Sequence, residues 1–140
     1  MKSEKPSVLL VEDNPADINL VEEALDEAHF DCLLHIMRDG LRAIEFLDRL
    51  DAEPDHPPPD IVVLDLNLPK IGGEEVLKRV RMSPRCEGVK VLIISSSDVP
   101  ADRERMIKLG ASDYFRKPSD LAQFMLLGPK VRAMIESASS

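Results

Sequence analysis

The sequence predicts an α/β fold, a doubly wound five-stranded parallel sheet with five helices. Three observations carry that expectation: five short apolar runs, a helix-like segment after each of them, and unusual polar residues directly behind several runs. Parallel neighbours need helical crossovers, so the alternation implies a sheet covered on both faces. In such folds ligands sit at the carboxyl ends of the strands, beside the topological switch point.

SVLLV (7–11) is the first candidate strand. From Pro15, ADINLVEEALDEAH places Ile18, Val21, Leu25 and Ala28 on one helical stripe. Asn14 suits the cap, and Pro15 suits a first turn, where its missing N–H costs nothing. CLLHIM (32–37) is the second strand, and LRAIEFLDRL (41–50) is a helix with a wide apolar face. Four prolines in DAEPDHPPPD (51–60) then forbid helix or central strand.

IVVLD (61–65) is nearly all β-branched or Leu, as expected for a strand buried on both faces. Gly72 and Gly73 open a third helix running to about Arg81, and VLIIS (91–95) is a fourth buried strand. The fourth helix, about Ala101 to Leu109, is weakly amphipathic and ends at Gly110, suited to a left-handed cap. DYFRK (113–117) is the fifth strand, stopped by Pro118. The last helix starts near Ser119, capped by Ser119 and Asp120, and Gly128-Pro129 is expected to kink or split it. Of Phe124, Met125, Leu126 and Leu127, helical periodicity assigns two to the core.

At 140 residues the chain fits one domain, residues 1–140 with a core over about 7–138, and that domain is expected to carry the whole function. A net charge of -8 argues against non-specific contact with nucleic acid or an anionic membrane. MKSEKPSVLLVEDNP holds a four-residue apolar run before two acids, which fits neither a signal peptide nor a membrane span, so a cytoplasmic location is expected. Cys32 and Cys86 stand far apart, and His29, His35 and His56 are scattered, a pattern unlike a zinc site or a disulfide framework.

The chemistry collects at the strand ends. Glu12 and Asp13 close the first strand, Asp65 the third, Ser95 the fourth and Lys117 the fifth. Taken singly, Asp13 reads as a turn former, Lys117 as a surface charge and Ser95 as a loop residue. Together they bring three carboxylates to one pocket, where they would raise one another's pKa unless a cation compensates. A hard divalent ion, most simply Mg²⁺, is the economical partner. Asp65 then supplies a nucleophilic carboxylate, with Lys117 and Ser95 placed to bind phosphoryl oxygens.

VEDN, DLNLPKIGG, a Ser closing the fourth strand and GASDYFRKP, in this five-fold order, resemble the receiver domain of two-component response regulators. Thirty positions separate Asp65 from Ser95 and twenty-two separate Ser95 from Lys117, so identity and spacing agree. The resemblance implies a flavodoxin-like strand order, 2-1-3-4-5, in a bacterial protein. It implies Asp65 as phosphoacceptor, Asp13 as a direct Mg²⁺ ligand, Glu12 acting on the metal through water, and the backbone carbonyl of Asn67 as a further ligand. Lys117 would hold the phosphoryl group, with a cis Lys117–Pro118 peptide. Ser95 and Tyr114 would be the switch pair, and Asn67 and Ser97 would tune the lifetime of the phosphate.

The implied role is a single-domain regulator, phosphorylated by a sensor histidine kinase and changing partners through the face of helix four, strand five and helix five. It is not an enzyme beyond its own phosphotransfer and autodephosphorylation. A relay carrier passing the group to a histidine phosphotransfer protein is the alternative, as is a phosphorylation-independent binding module. LNLPK after Asp65, with the proline-rich insertion before strand three, resembles regulators paired with bacteriophytochrome-type kinases. A homodimer through the same face is a further hypothesis, and Gly128-Pro129 departs from the family's usual last helix. An aspartyl phosphatase of the haloacid dehalogenase type fits less well, since the position two after Asp65 is Asn67 and not an acid. A flavodoxin-like FMN binder would need a phosphate loop where VEDNPAD stands.

Overall fold

The computed structural model describes residues 5–138, so Met1 to Glu4 of the amino-terminal segment lie outside the described residues. Strand β1 (Ser7–Val11) leads to helix α1 (Pro15–Glu27), β2 (Leu33–Met37) to α2 (Gly40–Ala52), and β3 (Ile61–Asp65) to α3 (Gly73–Met82). After a 3-10 turn at Pro84–Cys86 come β4 (Lys90–Ser95), α4 (Pro100–Lys108) and β5 (Asp113–Arg116). The last helix is divided into α5 (Leu121–Phe124) and α6 (Leu127–Ala138). The five strands pair in parallel in the order β2-β1-β3-β4-β5.

Strand alternation sorts the core into two layers. Leu9, Val11, Val62, Leu64, Val91 and Ile93 meet α2 and α3 through Leu47, Val76 and Leu77. Val8, Leu10, Ile61, Val63, Leu92 and Ile94 meet α1 and the last helix through Ile18, Val21, Phe124 and Val131. Each such fully buried aliphatic side chain contributes about 1.5–3 kcal/mol. Of the nine residues of α4, Met106 alone is buried, which accounts for its weak sequence pattern.

The caps follow the sequence closely. Asn14 Oδ1 accepts from the amides of Ala16 and Asp17, and Asp120 Oδ1 from that of Ala122, while Ser119 is exposed and caps nothing. Gly110 takes φ 112°, as its place behind α4 requires. Helix α2 runs to Ala52, two residues into the proline-rich loop, because the prolines themselves begin at Pro54.

The split in the last helix falls at Met125 and Leu126, ahead of Gly128-Pro129. Pro129 is the third residue of α6, inside the first turn, where an amide has no intrahelical acceptor to lose. Gly128 has a packing reason instead: a Cβ there would overlap the carbonyl of Ala24 on α1. As expected, Phe124 and Leu127 are buried, while Leu126 is exposed.

A polar clamp joins α2, α3 and the 3-10 turn. Ser83 Oγ donates to Asp51 Oδ1, and Arg79 donates to both Asp51 and Asp48 at 2.8 Å. The Ser83 hydroxyl, then the Arg79 guanidinium, hold the Asp51 carboxyl below its ordinary pKa. A lowered folded pKa gives stability that is present above the unfolded value and lost as pH falls through the folded one.

Gly128→Ala is expected to lower the unfolding free energy by about 1–3 kcal/mol, through forced separation of α6 from α1. Gly88→Ala, where nothing lies within 4 Å of the added methyl, is the control and should stay within about 0.5 kcal/mol. Asp51→Ala leaves the buried Ser83 hydroxyl without its acceptor and should cost about 1–3 kcal/mol at pH 7. In urea titrations that cost narrows as pH falls below about 4, where the unfolded chain takes up the proton first, and further as pH passes through the lower folded pKa.

Candidate functional site

The register of the central strands brings the acids together. Val11 pairs with Leu64 across β1 and β3, so the next residues, Glu12 and Asp65, emerge side by side. Ile94 pairs with Asp65 and Arg116 with Ser95, so Ser95 and Lys117 follow at the same edge. Extending the strand alternation by one step puts Glu12, Asp65 and Lys117 on the α1 side of the sheet. The same step keeps Ser95 in line with Ile93 on the α3 and α4 side.

Glu12 is fully buried, Asp65 is 4% exposed and Asp13 is exposed. Each of the three offers an oxygen, and those oxygens lie within 4.8 Å of one another. Burial, with the adjacent Asp65 carboxylate, pushes Glu12 up to about 7 against the opposing hydrogen bond from Lys117. A donor set of three crowded carboxylate oxygens fits a hard divalent cation, which would relieve that repulsion.

Lys117 Nζ donates to Asp17 Oδ2 at 2.8 Å and to Glu12 Oε1 at 2.9 Å, and stands 3.6 Å from Asp65 Oδ2. Burial works against its charge, but the Asp17 and Glu12 carboxylates outweigh it and hold the ammonium above its ordinary pKa. Its backbone amide donates to the Ser95 carbonyl at 2.6 Å. The expected cis peptide between Lys117 and Pro118 is absent: no cis bond occurs among the described residues. Trans is the intrinsically favoured isomer before proline by about 0.5–1 kcal/mol, and Lys117 reaches the acids from it.

A chain of hydrogen bonds leaves the pocket on the other side. The Asn67 amide donates to Asp65 Oδ1, and the Ser95 hydroxyl donates to Asn67 Oδ1 at 3.0 Å. The Ser97 amide donates to Ser95 Oγ, and the buried Tyr114 hydroxyl donates to the Ser97 carbonyl at 3.2 Å. The Ser97 hydroxyl in turn donates to Asp102 on α4 at 2.6 Å. Asn67, Ser95, Ser97 and Tyr114 thus form one connected series.

The two glycines behind Asp65 are not equivalent. Gly72 has φ -75° and open space where a Cβ would go, so the loop does not need it. The left-handed residue is Lys70, with φ 62°. A Cβ at Gly73 would overlap the Asp65 carbonyl, so glycine is required there for close approach to the end of β3. Asp17 is the residue that sequence reasoning missed. An acid in a first helical turn is ordinary for dipole reasons, so its contact with Lys117 left no separate signal.

A parallel α/β sheet with a carboxylate cluster, an ammonium and a hydroxyl at its carboxyl edge defines an open-sheet protein with a candidate cation site at its switch point. A family model for the response regulator receiver domain matches residues 8–127, and the chain belongs to that family. Response regulator Rcp1 of Synechocystis is 37% identical over 114 residues, covering 81% of this chain and 78% of that protein. The solved Mn²⁺-bound form of Rcp1 aligns with TM-score 0.79 at 33% identity, over 91% of this chain and 92% of that one. The phosphorylated cyanobacterial phytochrome response regulator RcpA aligns with TM-score 0.84 at 30% identity, over 97% of each chain. The bacteriophytochrome response regulator AtBRR aligns with TM-score 0.74 at 32% identity, over 95% of this chain and 94% of that one. Among the described residues no helix is long and apolar enough to cross a membrane.

Titration with Mg²⁺ or Mn²⁺ is expected to raise the melting temperature, with about 2.7 kcal/mol of added stability at one hundred times the dissociation constant. EDTA should reverse the gain. Asp13→Asn should lose most of it, and an equal gain in that variant would place the cation elsewhere.

Proposed function

We propose that this receiver accepts a phosphoryl group on Asp65 from a sensor histidine kinase and changes its partners in response. The observation that carries the reading is the surroundings of the Asp65 carboxylate. It ends the central strand, shares a space of 4.8 Å with the Glu12 and Asp13 oxygens, and has the Lys117 ammonium at 3.6 Å.

An Asp65 oxygen attacks the phosphorus of a phosphohistidine; the O–P bond forms as the P–N bond breaks, and the electron pair leaves with the imidazole nitrogen. The product is an acyl phosphate. Asp13, Asp65 and the Asn67 carbonyl would hold Mg²⁺ directly, with Glu12 through water, and the bound ion would offset charge on the transferring group. Lys117 and Ser95 donate to the phosphoryl oxygens. Asn67 and Ser97 govern access of water and so the lifetime of the product. This is self-phosphotransfer and autodephosphorylation, not turnover of a separate substrate.

Phosphorylation adds roughly -1.5 to -2 charges at Asp65. Ser95 then leaves Asn67 for the phosphoryl oxygens, which frees the Ser97 and Tyr114 end of the hydrogen-bond series. Tyr114 and α4 shift population between two arrangements, and partners read the face of α4, β5 and the divided last helix. The likeness to RcpA and AtBRR supports a bacteriophytochrome-type kinase as the donor.

Intact mass after incubation with acetyl phosphate and Mg²⁺ tests the chemistry. Wild type should gain one phosphoryl group, and Asp65→Asn or EDTA should abolish the gain. Folded, metal-loaded wild type that gains nothing from acetyl phosphate or from a phosphorylated kinase would instead be a phosphorylation-independent binding module.

A further inference from the structure

Lys117 has more partners than its proposed task requires. Two carboxylates lie within hydrogen-bonding reach of Nζ, Asp17 at 2.8 Å and Glu12 at 2.9 Å, whereas the phosphoacceptor stands at 3.6 Å. Glu12 belongs to the acidic cluster at the end of β1. Asp17 does not: the oxygens that converge within 4.8 Å among the described residues come from Glu12, Asp13 and Asp65. Asp17 lies in the first turn of α1, half-buried, with its side chain 23% exposed.

We propose that Asp17 is a positioning residue that holds the Lys117 ammonium away from Asp65 and so acts as an electrostatic brake on the phosphorylated state. The proposal rests on the reading of Asp65 as phosphoacceptor. Two effects act in the same direction. The ammonium must give up a 2.8 Å bond to Asp17 before it can donate fully to a phosphoryl oxygen. The Asp17 carboxylate, bridged to the same cation, also repels the dianionic group that phosphorylation adds. One effect opposes them, because Asp17 confines a long side chain that would otherwise lose entropy on binding. That loss is partial, since Glu12 and the backbone bond to Ser95 still hold Lys117.

Asp17→Asn removes the charge and keeps the shape. The cap of α1 survives, because the Asn14 side chain accepts from the backbone amide of residue 17 and not from its carboxylate. Beryllofluoride, a phosphoryl analogue, measures the balance directly at saturating Mg²⁺. Asp17→Asn is expected to bind it about three- to ten-fold more tightly than wild type. Mg²⁺ affinity without beryllofluoride should stay within about two-fold, since Asp17 is outside the cation cluster. Asp17→Glu, which restores the carboxylate, should return the affinity toward wild type. The acyl phosphate formed from acetyl phosphate should persist longer in Asp17→Asn by a comparable factor.

Equal or weaker beryllofluoride affinity in Asp17→Asn overturns the brake while leaving the phosphoacceptor intact. A lowered melting temperature with unchanged affinity does the same, by assigning Asp17 a purely structural bond. Failure of wild type to bind beryllofluoride with Mg²⁺ present removes the reading of the pocket itself, and the brake with it.

Discussion

The pairing of Val11 with Leu64 is the constraint from which the site follows. Two parallel strands in this register must present Glu12 and Asp65 to the same small volume, whatever the loops do. Like charges at that distance are unfavourable where burial removes water, and the protein meets the cost with one ammonium, that of Lys117 directly after β5. The order of the strands matters for the same reason. With β3 between β1 and β4, the carboxylate cluster lies at the centre of the carboxyl edge, and Lys117 must reach across from the outermost strand.

Strand alternation then divides the edge into two kinds of contact. Glu12, Asp65 and Lys117 fall on the side of α1, where the charges meet. Ser95 and Tyr114 fall on the side of α3 and α4, where the contacts are hydroxyl to amide and hydroxyl to carbonyl. Asn67 joins the two sides, since its amide faces Asp65 and its side-chain oxygen accepts from Ser95. A change of charge on one side can therefore reach a hydrogen-bond series on the other through a single residue.

The strands were legible because buried parallel strands have little choice of composition: IVVLD is bounded in the structure as its residues imply. The carboxylate cluster was legible because acids directly behind such strands crowd one another at the same edge of the sheet. The sequence was less informative wherever contact depends on the third dimension. Gly128 looked like a helix breaker, but its role is to admit the Ala24 carbonyl, a neighbour more than one hundred residues away in the chain. Gly72 and Gly73 looked alike, yet only Gly73 lies against the backbone of Asp65. The Lys117–Pro118 bond came from resemblance alone, and no local property of the sequence fixes its isomer.

The attachment of α4 sets it apart from the opposite layer. One buried apolar side chain, Met106, anchors it, and its side-chain ties to the rest of the domain are polar: Arg105 to Glu74, Asp102 to Ser97, and Arg103 to Asp113. Helix α1, by contrast, is seated by Ile18, Val21, Ala24 and Leu25 and pressed against α6 at Gly128. Polar ties can be exchanged for water at small net cost, whereas apolar seating cannot. The domain is therefore mechanically uneven, with α1 seated firmly beside the charged pocket and α4 tied so that it can yield without loosening the rest.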